Sequence, residues 1–191
     1  MLKRPSAAIL AVLLTAAVAF PATATTAVQL DEQALVDTAD LIVVGRCDAV
    51  DSRWVDGDLV TIATLEVSES LKGGAGGSVD VVLPGGVDAD AAVPVAVTWP
   101  GAPAITPGEK VLVFLVDYPS VPGGYAVAGF SQGKYSVIEG PAVGSSRVSR
   151  DLTNVTLVDG EDRRRGAASQ ERLDVFLDRV RGLVAAGEVE R

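Results

Sequence analysis

Residues Gly129-Phe130-Ser131-Gln132-Gly133 spell G-x-S-x-G, and Ser131-Gln132-Gly133-Lys134 spell S-x-x-K. Both spacings belong to serine nucleophiles. The first exposes a hydroxyl on a strained strand-to-helix turn beside a histidine, and the second places a serine and a lysine on one helical face. The chain contains no histidine. That removes the base the first arrangement needs, together with the usual zinc ligand and the usual pH switch. The residues that follow, Lys134-Tyr135-Ser136-Val137-Ile138, alternate like a strand and carry no helical stripe. A Ser131–Lys134 dyad needs a helix there, so the motif reads as a glycine-bounded turn between two strands.

The remaining chemistry-bearing residues are few. Cys47 is the single cysteine, so an intrachain disulfide is excluded. It sits at a core-facing position of an apolar run, the setting of a buried inert thiol rather than a nucleophile. Asp48, Asp51, Asp56 and Asp58 cluster around one turn, and Asp88 and Asp90 fall in a long loop. Calcium takes several oxygens, but EF-hand spacing is absent and aspartates at turns are ordinarily solvated. No metal or cofactor is expected. Trp54 and Trp99 are the only tryptophans. One lies near the first turn and the other in a Pro-rich loop, and they are the candidate ligand-binding residues, weighed against packing at the end of a barrel.

The elements that must position these residues begin after a leader. Lys3 and Arg4 precede the apolar run Ala7–Phe20, and Ala22-Thr23-Ala24 supplies an A-x-A site. Residues 1–24 therefore read as a signal peptide and 25–191 as one domain. The apolar run is shorter than the about 20 residues a membrane span needs. The expected location is outside the cytoplasm: periplasmic, cell-surface or extracellular. The chain has 25 acidic against 16 basic residues, a balance that disfavours nucleic acid and anionic lipid.

A short helix is expected over "LDEQALVDTAD", with Asp31 as its N-cap and Leu30 and Leu35 as a hydrophobic staple. "LIVVGRCDAV" and "LVTIATLEV" read as paired strands. Facing the core side of both strands inward favours a three-residue loop, Val55–Gly57. That register pairs Cys47 with Leu65, Ala49 with Ala63 and Arg46 with Glu66. Further strands are expected at "SVDVVLP", "VAVTW", "EKVLVFLVDY", "YAVAGF", "KYSVIEG" and "LTNVTLVDG". Residues 84–109 form a long Gly/Pro-rich insertion, and residues 162–168 a polar break. An amphipathic helix capped by Ser169 is expected over 169–186, with Leu173, Phe176, Leu177, Val180, Leu183 and Val184 as its stripe and Gly187 as its stop.

Ala39, Asp40, Ile42 and Gly45, followed after a hairpin by Leu71-Lys72-Gly73, resemble the opening of exported bacterial proteins with a small OB-like β-barrel. More distantly they resemble netrin-like and metalloproteinase-inhibitor N-terminal domains. The resemblance implies a small, partly open antiparallel β-barrel, here flanked by the short N-terminal helix and the amphipathic C-terminal helix. Inhibitors of that class chelate their target's zinc through an N-terminal cysteine, which this chain lacks after residue 24. The expected function is an exported, non-catalytic binding or protein-interaction module. The alternatives are a serine hydrolase using Ser131 and Lys134 and a protease-inhibitor-like module.

Overall fold

Runs of β-branched and aliphatic residues separated by glycine-rich turns favour strands. The computed structural model, which describes residues 25–142 and 144–189, is accordingly mainly β. The leader at residues 1–24 lies outside the described residues. The elements begin with β1 (Thr25–Val28), α1 (Glu32–Thr38), β2 (Leu41–Val55), β3 (Asp58–Lys72) and β4 (Ser78–Pro84). Next come β5 (Gly86–Asp88), β6 (Val95–Val97), β7 (Lys110–Asp117), β8 (Gly124–Val127) and β9 (Lys134–Ile138). The chain continues through β10 (Arg147–Asp151), β11 (Val155–Asp159), β12 (Asp162–Arg165), β13 (Ala168–Arg172) and α2 (Leu173–Val189).

Strands β2 and β3 form one long antiparallel hairpin. Its tip is not the expected three-residue loop. Val55 pairs with Asp58 around the two-residue turn Asp56-Gly57, whose φ angles of 50° and 92° are both left-handed. Near the tip Val50 faces Ala63 and Ala49 faces Thr64, so the expected Ala49–Ala63 pair does not form. Beyond a bulge at Asp48 the register changes, and Cys47 meets Leu65 and Arg46 meets Glu66, as the sequence pattern requires. One extra residue on one strand moves every later side chain to the other face. The bulge therefore reconciles a tight turn with the core pattern.

Five strands close on one another. β2 pairs with β3, β3 with β4, β4 in parallel with β8, β8 with β7, and β7 with β2. Side chains from all five meet in one buried cluster, including Val43, Cys47, Leu65, Val81, Val113 and Val127. The alternate residues of β2 and β7, Ile42, Val44, Leu112 and Phe114, enter a second cluster with Leu35 of α1 and Phe176 of α2. Both faces of these two strands are thus covered, which is why "LIVV" and "VLVFL" are continuously apolar rather than alternating. Past the ring, β9, β10 and β13 extend the sheet from β7, and β1, β11 and β12 make a smaller sheet.

Asp31 caps α1 by accepting a hydrogen bond from the Ala34 amide at 2.8 Å. At the other end of α1, Lys72 Nζ donates to the carbonyls of Val36 and Ala39. Gly73, at φ +83°, lies where any Cβ would meet the Asp40 carbonyl at 2.5 Å. The Ala39-Asp40 and Leu71-Lys72-Gly73 motifs are therefore two halves of one clasp between helix and hairpin.

Helix α2 starts at Leu173, not at Ser169. Ala168–Arg172 is the edge strand β13, with Ser169 paired to Arg150. Gly187 lies inside the helix, which runs to Val189. Residues 162–165 are β12 rather than a polar break, and the 84–109 segment contains the β5–β6 pair.

Phe176 is fully buried, with its ring centroid 4.6 Å from that of Tyr135. Phe176→Ala is expected to cost about 3–5 kcal/mol in urea unfolding, the range for an aromatic truncated in a core. A loss below about 1 kcal/mol would show that α2 is not part of this core.

Candidate functional site

The stretch that opened the sequence analysis is an excursion between β8 and β9. Gly129 and Phe130 both adopt left-handed φ angles, 63° and 66°. The left-handed φ favours glycine at 129, and a Cβ there would also displace Leu30 Cδ1, 2.7 Å away. The excursion is held at its base by β7: the Phe114 amide donates to the Gly133 carbonyl at 2.9 Å, and the Ala128 amide to the Phe114 carbonyl at 2.8 Å. It is held at its side by Gln132, which is 1% exposed. Gln132 Oε1 accepts from the Leu30 amide at 2.8 Å, and its Nε2 donates to the Val28 carbonyl at 2.8 Å.

A strand rather than a helix follows Ser131, so the geometry is not that of a nucleophile elbow. Ser131 and Lys134 do line one polar hollow of about 250 Å³, together with Asp151 and Asn154. No hydrogen bond joins them. Ser131 Oγ is buried without a partner, and Lys134 Nζ donates to Glu109 Oε1 at 2.6 Å and to Ser136 Oγ at 2.8 Å. Partial burial works against ionisation of Glu109, but the bonds from Lys134 and Ser136 outweigh it and hold the carboxyl below its ordinary value. The Lys134 amine is thus directed at Glu109 and Ser136 rather than at Ser131.

On the other side of the excursion is an apolar cleft of about 390 Å³. β4 and β8 pair at only three positions, ending at Val82 and Ala126. The cleft opens where they part. Leu59, Val82, Tyr118, Val127 and Phe130 line it, and half-exposed Trp99 forms one wall. A bulky residue held in left-handed backbone carries a conformational cost, and such residues concentrate at ligand sites. Phe130 is that residue here. The sequence motif drew attention to its serine, whereas the residue beside the serine faces the cleft. The signal was Gly129-Phe130, a glycine that permits the turn followed by an aromatic at its tip.

The two tryptophans part company. Trp99 lines the cleft, whereas Trp54 is on the hairpin and donates its indole N–H to Asp88 Oδ2 at 2.7 Å. Among the described residues no three acidic or thiol side chains converge as metal ligands, and Asp88 also accepts from the Ala91 amide. Cys47 is buried in the ring. Burial pushes its thiol pKa up, reinforced by the negative charges of Glu109 and Asp48.

Fold and site together define a mainly β chain in which a closed ring of strands carries an open apolar cleft. No protein-family model matches the chain, and no curated protein matches it.

Because the folded pKa of Glu109 is depressed, its ion pair contributes stability that is fully present above the ordinary carboxylate value. That contribution is lost as pH falls through the folded value. Lys134→Met is expected to raise the Glu109 pKa, with burial then opposed only by the Ser136 and backbone bonds, and to flatten the acid-side loss of stability. Carboxyl-carbon NMR titration reads this directly. Identical Glu109 titrations in the two proteins would contradict the pairing.

Proposed function

We propose that the chain is an exported, non-catalytic binding module on a small OB-like barrel, and that the cleft beside Trp99 is its ligand site. The ring connectivity supports the barrel reading. A meander of three strands is closed by a fourth lying against the first and a fifth set in parallel against the third. That closure is what favours an OB-like reading, a five-stranded barrel that binds ligands across one face and its loops. Fold alone does not give function. The observation that carries the proposal is the cleft itself: apolar, open, of ligand size, and walled by an exposed indole and a backbone-strained phenylalanine. The ligand class is an apolar or aromatic group, such as a side chain presented by a partner protein. The resemblance to netrin-like domains adds to the barrel reading, while the inhibitory cysteine of that class has no counterpart here.

The test uses Nile red, an uncharged apolar fluorophore. Saturable binding is expected, with Trp99→Ala weakening it about fivefold or more and Trp54→Ala leaving it unchanged. Equal binding by wild type and Trp99→Ala would remove the cleft as the site. In parallel, no Ser131-dependent labelling by a fluorophosphonate is expected. Label that disappears in Ser131→Ala would overturn the non-catalytic reading and favour the hydrolase.

A further inference from the structure

A third hollow, of about 270 Å³, lies between β10, the β1–β11–β12 sheet, the Gln29-Leu30 segment leading into α1 and the segment leading into β13. Its lining includes Arg150, Arg164 and Arg165 and no carboxylate. Among the described residues none of these three guanidiniums is within 4.0 Å of an acidic side chain, although Arg46, Arg172, Arg179 and Arg181 all form such pairs. Arg53, Arg147 and Arg163 likewise form no such pair among the described residues, but Arg150, Arg164 and Arg165 share one hollow.

Each of the three is instead positioned by a neutral acceptor. Arg150 donates to the Gln132 carbonyl at 3.3 Å and lies 4.9 Å from the centre of the Tyr135 ring, while its Nε is buried with no partner. Arg164 donates to Gln29 Oε1 through Nε at 2.8 Å and through a second nitrogen, and Arg165 uses Nε alone, to the Thr153 carbonyl at 2.9 Å. Neighbouring Glu32 and Glu171 are already bound by Arg179. Three forks held in place, with donors to spare and no carboxylate in the lining, are suited to an anion.

We infer that this hollow binds a tetrahedral oxyanion, a phosphate or sulfate group. Multiple guanidiniums match a multiply charged oxyanion better than a single carboxylate. The volume lies just below the usual range of small-molecule pockets, which suits a free ion or a small phosphomonoester. The site is separate from the cleft beside Trp99 and does not depend on it.

Calorimetry on the full chain at low ionic strength, in a buffer free of phosphate, tests the inference. Inorganic phosphate is expected to bind, and Arg164→Gln and Arg165→Gln each to weaken it about tenfold. Arg165→Lys keeps the charge but loses the fork, and is expected to fall between Arg165→Gln and wild type. Arg163→Gln, on the same strand but outside the hollow, is expected to leave binding unchanged. Phosphoserine distinguishes the source of the group: binding of both ligands shows a phosphomonoester site, and binding of inorganic phosphate alone shows a site for the free ion. Circular dichroism checks that every variant is folded. The inference is overturned if neither phosphate, sulfate nor phosphoserine binds. It is equally overturned if Arg163→Gln weakens phosphate as much as Arg165→Gln, because the attraction would then be diffuse.

Discussion

The structure depends on one shared strand. β7 is paired to β2 along one edge, and along the other it changes partner, from β9 over Val111–Val113 to β8 over Leu115–Asp117. Its side chains are buried on both faces, Val111, Val113 and Leu115 within the ring and Leu112 and Phe114 against the helices. With both faces buried, the backbone N–H and C=O groups there need protein partners. At Phe114, where the partner changes, neither β8 nor β9 supplies a ladder bond. The two ends of the 128–133 excursion supply them instead, through Ala128 and Gly133. The close approach leaves little room: a Cβ on Gly133 would lie 3.1 Å from the Phe114 carbonyl oxygen.

That anchoring gives the excursion its role. Once its ends are fixed to Phe114, its successive residues face different surroundings. Phe130 lines the apolar cleft, Ser131 the polar hollow and Gln132 the arginine-lined hollow. Gln132 also ties the segment before α1 to the turn. A stretch that looks like one catalytic motif is therefore a junction. Its glycines serve the backbone, and its three side chains each contribute to a different compartment. The cost of left-handed backbone at Phe130 is offset by the hydrogen bonds at both ends of the excursion.

What could be read from the sequence divides along the line between local and non-local interactions. The Asp31 cap, the apolar stripe of α2 and the strand character of "KYSVI" are local properties, and each is present. The Cys47–Leu65 and Arg46–Glu66 pairs followed from face matching. The turn length did not, because a bulge at Asp48 restores the same facing from a different loop. The first residues expected in the C-terminal helix are strand instead, because Ser169 finds a partner in Arg150, a strand whose sequence carries little alternation. Of the site residues, Trp99 was legible as an aromatic in a Pro-rich loop. Gly129-Phe130 signalled only a local turn, and the meeting of Phe130 with Tyr118 was not legible because it requires ring closure. The arginines of β12 looked like a polar break, since nothing local shows that Arg150 stands beside them.

The central claim is that β7, bonded on both edges and buried on both faces, is the element from which the rest of the structure is held. Native-state hydrogen exchange measures this directly. The amides of Val111–Leu115 are expected to exchange only by global unfolding, with an opening free energy equal to that from urea denaturation, while β13 and α2 open at lower cost. If the β7 amides exchange through openings well below the global value while β10 and β13 remain protected, the account is contradicted.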